Sequence, residues 1–95
     1  MTHNELTKAV EELEALINTG SDCAQAETQA RLLLAEEGIE NEPELHCKVL
    51  LALGESRRLR GLALKALSFT EQALSIAQGN QLKDLEGRSL NIIGL

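Results

Sequence analysis

Two cysteines and two histidines are the residues of this 95-residue chain whose types suit nucleophilic or metal chemistry. His46 and Cys47 are sequence neighbours, so on a helix their side chains point about 100° apart and cannot hold one metal ion together. We expect this pair at or near the surface, Cys23 as a buried inert thiol and His3 in solvent. The sequence therefore predicts no metal site, no cofactor and no catalytic residue, and indicates a protein that is not an enzyme.

The segment Arg57-Arg58-Leu59-Arg60 is the one cluster of basic residues. Such a cluster can bind a phosphate or an anionic peptide. It also lies in and just after the last turn of a predicted helix, where cations complement the negative end of the helix dipole. The sequence leaves both interpretations open.

Acidic residues outnumber basic ones by 15 to 9, which gives a net charge of -6 and disfavours nucleic acid as a partner. The charge balance is -9 in residues 1–47 and +3 in residues 48–95. This asymmetry could steer a protein partner or a second copy, although solvated helix faces also explain it. No apolar run approaches the length of about 20 residues that spans a bilayer. We expect no membrane partner and, from the unpaired thiols, a cytoplasmic location.

Helix-forming residues dominate the composition, and proline occurs once, so the fold class is predicted as all-α. Thr2 and Glu5 have the spacing of a capping box, which places the first helix start at about residues 3–5. Apolar residues with helical periodicity and turn residues between them predict four further helices, over about 23–37, 41–59, 62–77 and 84–95.

An internal repeat appears when the sequence is compared with itself at an offset of about 40 residues. The offset aligns apolar, small and basic positions together, as in Val10, Leu50 and Leu90; Ala26 and Ala66; and Lys8, Lys48 and Arg88. The chain is therefore predicted to be one domain of two helical hairpins plus the first helix of a third. These repeats cover about 7–40, 47–80 and 84–95.

The second repeat resembles the tetratricopeptide repeat family through a bulky residue, a Leu-Gly pair, a small turn residue and two alanines: Leu50, Leu53-Gly54, Gly61, Ala66 and Ala73. The first repeat departs from that pattern, since Glu14 stands at the glycine position. Gly54 and Ala66 lack bulk, so we expect them to mark a close helix contact. The long period is similar to that of kinesin light chains and bacterial signalling proteins. The resemblance implies a right-handed solenoid.

The resemblance also implies a docking or regulatory module, forming the N-terminal part of a larger signalling protein. In a helical solenoid the first helices of successive repeats line the concave face. By the repeat register, cations recur on this face and suit a peptide or protein partner that is acidic; exposed cations without a ligand are the alternative. The predicted binding residues are Lys8, Lys48, Leu51, Glu55, Arg58, Arg88 and Asn91.

Self-association is the alternative function. The last predicted helix carries apolar side chains that one preceding hairpin covers only in part. We therefore expect a homodimer formed through this helix, with Leu90, Ile92, Ile93 and Leu95 at the contact.

Overall fold

A computed structural model describes residues 2–19, 23–59, 61 and 63–93, apart from the side chains of Cys23, Ala63 and Ile93. The regular secondary structure of these residues is helical, with turns between the helices, which confirms the all-α class. The α-helices are α1 (His3–Thr19), α2 (Cys23–Leu34), α3 (Pro43–Leu59), α4 (Ala63–Gly79) and α5 (Lys83–Ile93), and a 3-10 helix covers Ile39–Asn41. None of these helices combines the length and apolar content that crossing a bilayer requires.

The start of α1 has the predicted capping box. The backbone N–H of Glu5 donates to Oγ1 of Thr2 at 3.2 Å, and the Thr2 backbone nitrogen donates to Oε1 of Glu5 at 2.9 Å. The hydrogen bond from the Thr2 backbone, and after it the interaction with the Thr2 side chain, lowers the pKa of the Glu5 carboxyl. The first turn of α1 thus satisfies donors that an uncapped helix leaves open.

The end of α2 differs from the prediction, because α2 stops at Leu34 rather than near residue 37. The chain then turns through Gly38, whose φ of 92° is in the left-handed region that glycine adopts readily. The turn delivers Ile39 into the core as part of the 3-10 helix. Helical periodicity did not predict that Ile39 is buried. Because the chain turns after Leu34 to bury this side chain, α2 is shorter than predicted.

The centre of the molecule is α3, which contacts each of the other four helices. α1 and α2 pack on one side of it around Val10, Leu13, Ala26 and Leu53, which form the first core cluster with their neighbours. α4 and α5 pack on the other side, where the second core cluster contains Cys47, Leu50, Leu51, Ala73, Ala77 and Leu85.

Gly54 lies at a close approach of α3 and α4. A Cβ atom added at Gly54 would lie 3.4 Å from the carbonyl oxygen of Ala66 and would overlap Oγ1 of Thr70. Ala66 and Thr70 are both buried, and the Thr70 hydroxyl donates to the Ala66 carbonyl at 2.8 Å. The predicted contact between Gly54 and Ala66 is confirmed, and Thr70 is the nearest neighbour.

Burial on α2 recurs on α4 at the predicted offset. Positions 26, 30 and 33 of α2 are buried, as are positions 66, 70 and 73 of α4. Exposed positions correspond in the same way: 24 and 64, 25 and 65, 28 and 68, 31 and 71, 32 and 72. The two helices therefore present equivalent faces to the core.

Candidate functional site

A groove forms where the C-terminal ends of α1, α3 and α5 lie side by side. Its volume is about 400 Å³. The groove combines aliphatic side chains with charged and amide groups, and it is lined by Ile17, Asn18, Glu55, Arg58, Leu59, Arg88, Asn91 and Ile92. Positions i, i+3 and i+4 share one face of a helix. The lining residues have this spacing on both α3 and α5: Glu55, Arg58 and Leu59, and Arg88, Asn91 and Ile92.

A smaller hollow of about 20 Å³ adjoins this groove and shares several of its walls. Lys48, Leu51 and Ala52 of α3 and Glu14 of α1 are its additional lining residues. Leu51 is only 1% exposed and belongs to the second core cluster. It therefore lies at the base of the hollow rather than on an open surface.

The cations of this region are paired with carboxylates of the same chain. Arg58 donates to Glu55 through two nitrogens, at 2.7 and 3.1 Å from Oε2. Arg88 lies 3.5 Å from Oε2 of Glu14, so this pair joins α5 to α1 across α3. An acidic ligand must compete with these carboxylates, and Arg88 has the longer and weaker contact of the two.

Six of the seven predicted binding residues line the groove or the hollow: Lys48, Leu51, Glu55, Arg58, Arg88 and Asn91. Lys8 is exposed on α1 and belongs to neither lining set. Lys48 is half-buried and lies 3.5 Å from the carboxylate of Glu44. Of the three cations that recur at the repeat offset, Lys8, Lys48 and Arg88, only Lys48 and Arg88 therefore lie in this region.

The residues predicted for self-association lie in different settings. Leu90 and Ile92 are half-buried, and Ile92 packs against the second core cluster while it also lines the groove. The side chain of Ile93 and all of Leu95 lie outside the described residues. Ile92 is thus covered in part by the fold, and self-association through α5 stays a prediction.

The basic cluster at the end of α3 is divided between two environments. Arg57 is buried: its guanidinium pairs with Glu27 of α2 and lies over the ring of Phe69, 5.9 Å from the centroid. Arg58 faces the groove instead, and Arg60 is outside the described residues.

Sequence reasoning missed the buried pair of Arg57 and Glu27. One signal for it was present, because Arg57 follows Ile17 by the repeat offset and therefore occupies an apolar register position. A charge at such a position needs a partner inside the fold.

Cys47 lies in the core, not at the surface as the sequence indicated. It is fully buried, and its Sγ donates to the carbonyl of Ala73 at 3.3 Å. Burial raises the pKa of the Cys47 thiol to about 11, although the charge of Arg88 opposes the shift. The thiolate, which is the reactive form, is therefore disfavoured here.

No three His, Cys, Asp or Glu side chains in residues 2–19, 23–59, 61 and 63–93 are grouped closely enough to hold a metal ion. The side chain of Cys23 is outside that description.

Compared with known proteins, the chain matches no family model, no curated protein and no solved structure. The tetratricopeptide resemblance and the function that it implies therefore remain predictions.

Proposed function

We propose that this chain is a docking module that binds a segment of a partner protein in the groove between α1, α3 and α5. The observation that carries the proposal is the groove itself, because three helix ends place aliphatic, cationic and amide side chains around one volume of about 400 Å³. Recognition sites for peptides combine apolar contact area with a few placed polar groups in this way.

The proposed partner segment presents an apolar side chain beside a carboxylate. Ile17, Leu59 and Ile92 offer the apolar wall, and Leu59 is 50% exposed. Arg88 is half-exposed, and its one carboxylate contact within the described residues is the long one with Glu14, so a carboxylate of the partner can replace that contact. Its neighbour Asn91 is exposed and supplies amide hydrogen-bonding groups.

The proposal includes a tetratricopeptide-type arrangement of two hairpins and the first helix of a third. The recurrence of burial between α2 and α4 supports it, as do the contacts of α3 with both α1 and α5. In such a solenoid the groove would be the concave face. We place the module in a larger cytoplasmic signalling protein, in keeping with the free thiol of Cys47. Its role is binding and not catalysis.

A peptide-display selection against the chain tests the function. Peptides enriched on the wild-type chain should lose most of their binding to the double variant Arg58→Glu and Arg88→Glu, which reverses both groove cations. Lys8→Glu is the matched control, since Lys8 is exposed but outside the groove. Binding should weaken as salt rises, because exposed charges are screened.

The proposal fails if no peptide is enriched, or if enriched peptides bind the double variant as well as they bind the wild type. Helicity by circular dichroism should be the same for all three proteins, because the substituted side chains are at least half-exposed.

A further inference from the structure

Leucine side chains are exposed beside positive charge at the end of α3 and in the first turn of α4. Leu64 is 86% exposed and Leu59 is 50% exposed. Lys65 follows Leu64, is exposed, and has no carboxylate partner among the described residues. We call Leu59, Leu64 and Lys65 the α3–α4 tip. An apolar side chain held this far into water beside an unpaired cation is suited to a contact with an acidic, apolar surface.

A surface of that kind lies on the same chain, on the outer side of α1 and α2. It is a hollow of about 360 Å³, which we call the outer hollow, and it is lined by Glu12, Ala15, Leu16, Thr19, Gln25 and Gln29. Leu16 and Ala15 give it an apolar wall. Glu12 is exposed and has no cationic partner in the described part of the chain.

The tip and the outer hollow lie at the same end of the molecule. The groove shows this directly, because Ile17 and Asn18 of α1 line it together with Arg58 and Leu59 of α3. Thr19, at the last position of α1, lines the outer hollow, and Leu59, at the last position of α3, belongs to the tip. A two-fold axis at this end can therefore bring the tip of each copy to the hollow of the other.

We propose that two copies of this chain pair reciprocally, with Leu64 of each entering the outer hollow of the other and Lys65 facing Glu12. Charge complementarity supports a second copy as the occupant of the outer hollow. The net charge is -9 in residues 1–47, which contain the hollow, and +3 in residues 48–95, which contain the tip. The pairing is isologous and closes at a dimer. Leu59 also lines the groove, but the pairing is carried by Leu64, Lys65 and the outer hollow and does not depend on the proposed function.

Sedimentation velocity of the full chain, from micromolar to millimolar concentration, tests the pairing. The expected result is a reversible equilibrium between the 10.3 kDa monomer and a species of twice that mass, with nothing larger. Leu64→Glu should raise the dimer dissociation constant about tenfold or more, as loss of a central apolar anchor does. Leu32→Glu is the matched control, because Leu32 is also largely exposed, at 67%, but belongs to neither surface.

A charge exchange tests the orientation independently of the leucine. Lys65→Glu and Glu12→Lys should each weaken the dimer, and a chain with both changes should recover it, because the reversed charges again face each other. Circular dichroism should be the same for all of these variants, since Glu12, Leu64 and Lys65 are exposed.

Three results would overturn the proposal: a monomer at all concentrations, growth beyond a dimer, or a dimer that persists with Leu64→Glu. In the last case, loss of the dimer with Ile92→Glu would assign the contact to α5.

Discussion

Arg57 on α3 and Glu27 on α2 form a buried ion pair, with Nη2 of the arginine 2.5 Å from Oε1 of the glutamate. The two side chains are only 9% and 11% exposed. Glu27 also accepts a hydrogen bond from Arg31 at 3.0 Å, so one carboxylate holds two guanidinium groups. The Nε atom of Arg57 is buried and has no hydrogen-bond partner among the described residues. This ion pair links α1 and α2 to α3 and α4 through a contact between α2 and α3.

Removing the carboxylate of this pair should be costly. Glu27→Leu leaves the Arg57 charge buried without its partner, and we expect a loss of about 3 kcal/mol in the free energy of unfolding. The double variant Glu27→Leu and Arg57→Met should recover most of that loss, because no unpaired charge then remains in the core. Urea melts of the three proteins measure this. A double variant as unstable as Glu27→Leu would mean that packing, not charge, is what the substitution disturbs.

Gly54 should not tolerate a side chain. Gly54→Ala places a methyl group against the Thr70 hydroxyl and the Ala66 carbonyl, and we expect a net destabilisation of about 1–3 kcal/mol from overpacking. Gly87→Ala is the matched control, because Gly87 is also inside a helix and nothing lies within 4 Å of a Cβ atom there. That change should stabilise the protein by about 0.5–1 kcal/mol through helix propensity. Equal midpoints for the two variants in urea would show that α3 and α4 are not in close contact at Gly54.

The capping box predicts a pH dependence at the start of α1. The pKa of Glu5 is lowered in the folded chain from its ordinary value of 4.5, so its stabilising effect is present above about pH 4.5. The effect is lost as pH falls through the lower folded value. Titration by NMR should give a Glu5 pKa below 4.5, and Thr2→Pro, which removes the donating N–H, should move it back upward. An unchanged Glu5 pKa in Thr2→Pro would refute the capping arrangement.

Cys47 should be unreactive in the folded protein. In a Cys23→Ser background, a thiol reagent at about pH 8 should modify Cys47 far more slowly in the native chain than in urea. Its pKa of about 11 also predicts that stability declines as pH rises above the ordinary value of 9.0, since the unfolded thiol ionises first. Equal reaction rates in native and unfolded protein would contradict the buried position.

Local sequence signals predicted the helices well because each signal acts within a few residues. The cap of Thr2 and Glu5 was predicted in this way, and the structure confirms it. The contact of Gly54 with Ala66 was predicted instead from the resemblance of the second repeat, and it is also present in the structure. The repeat register also predicted that Arg58, Arg88 and Asn91 would lie near one another, and they do line one groove.

Partners distant in sequence could not be predicted by the same means. Arg88 and Glu14 are 74 positions apart, and Arg57 meets Glu27 on another helix. Such pairs depend on how each helix is rotated against its neighbours, which periodicity does not specify. For that reason the sequence indicated a row of free cations, whereas the structure pairs Arg58 and Arg88 with carboxylates of the same chain.

The central claim, that the groove between α1, α3 and α5 is the docking site, is tested most directly by NMR. A peptide selected on the wild-type chain is titrated into the labelled protein, and the backbone amide shifts are mapped. We predict that the largest shifts fall in residues 17–18, 55–59 and 88–92, and that they disappear with Arg58→Glu and Arg88→Glu but persist with Lys8→Glu. Shifts concentrated instead on the outer face of α1 and α2, or unaffected by the double variant, would contradict the account.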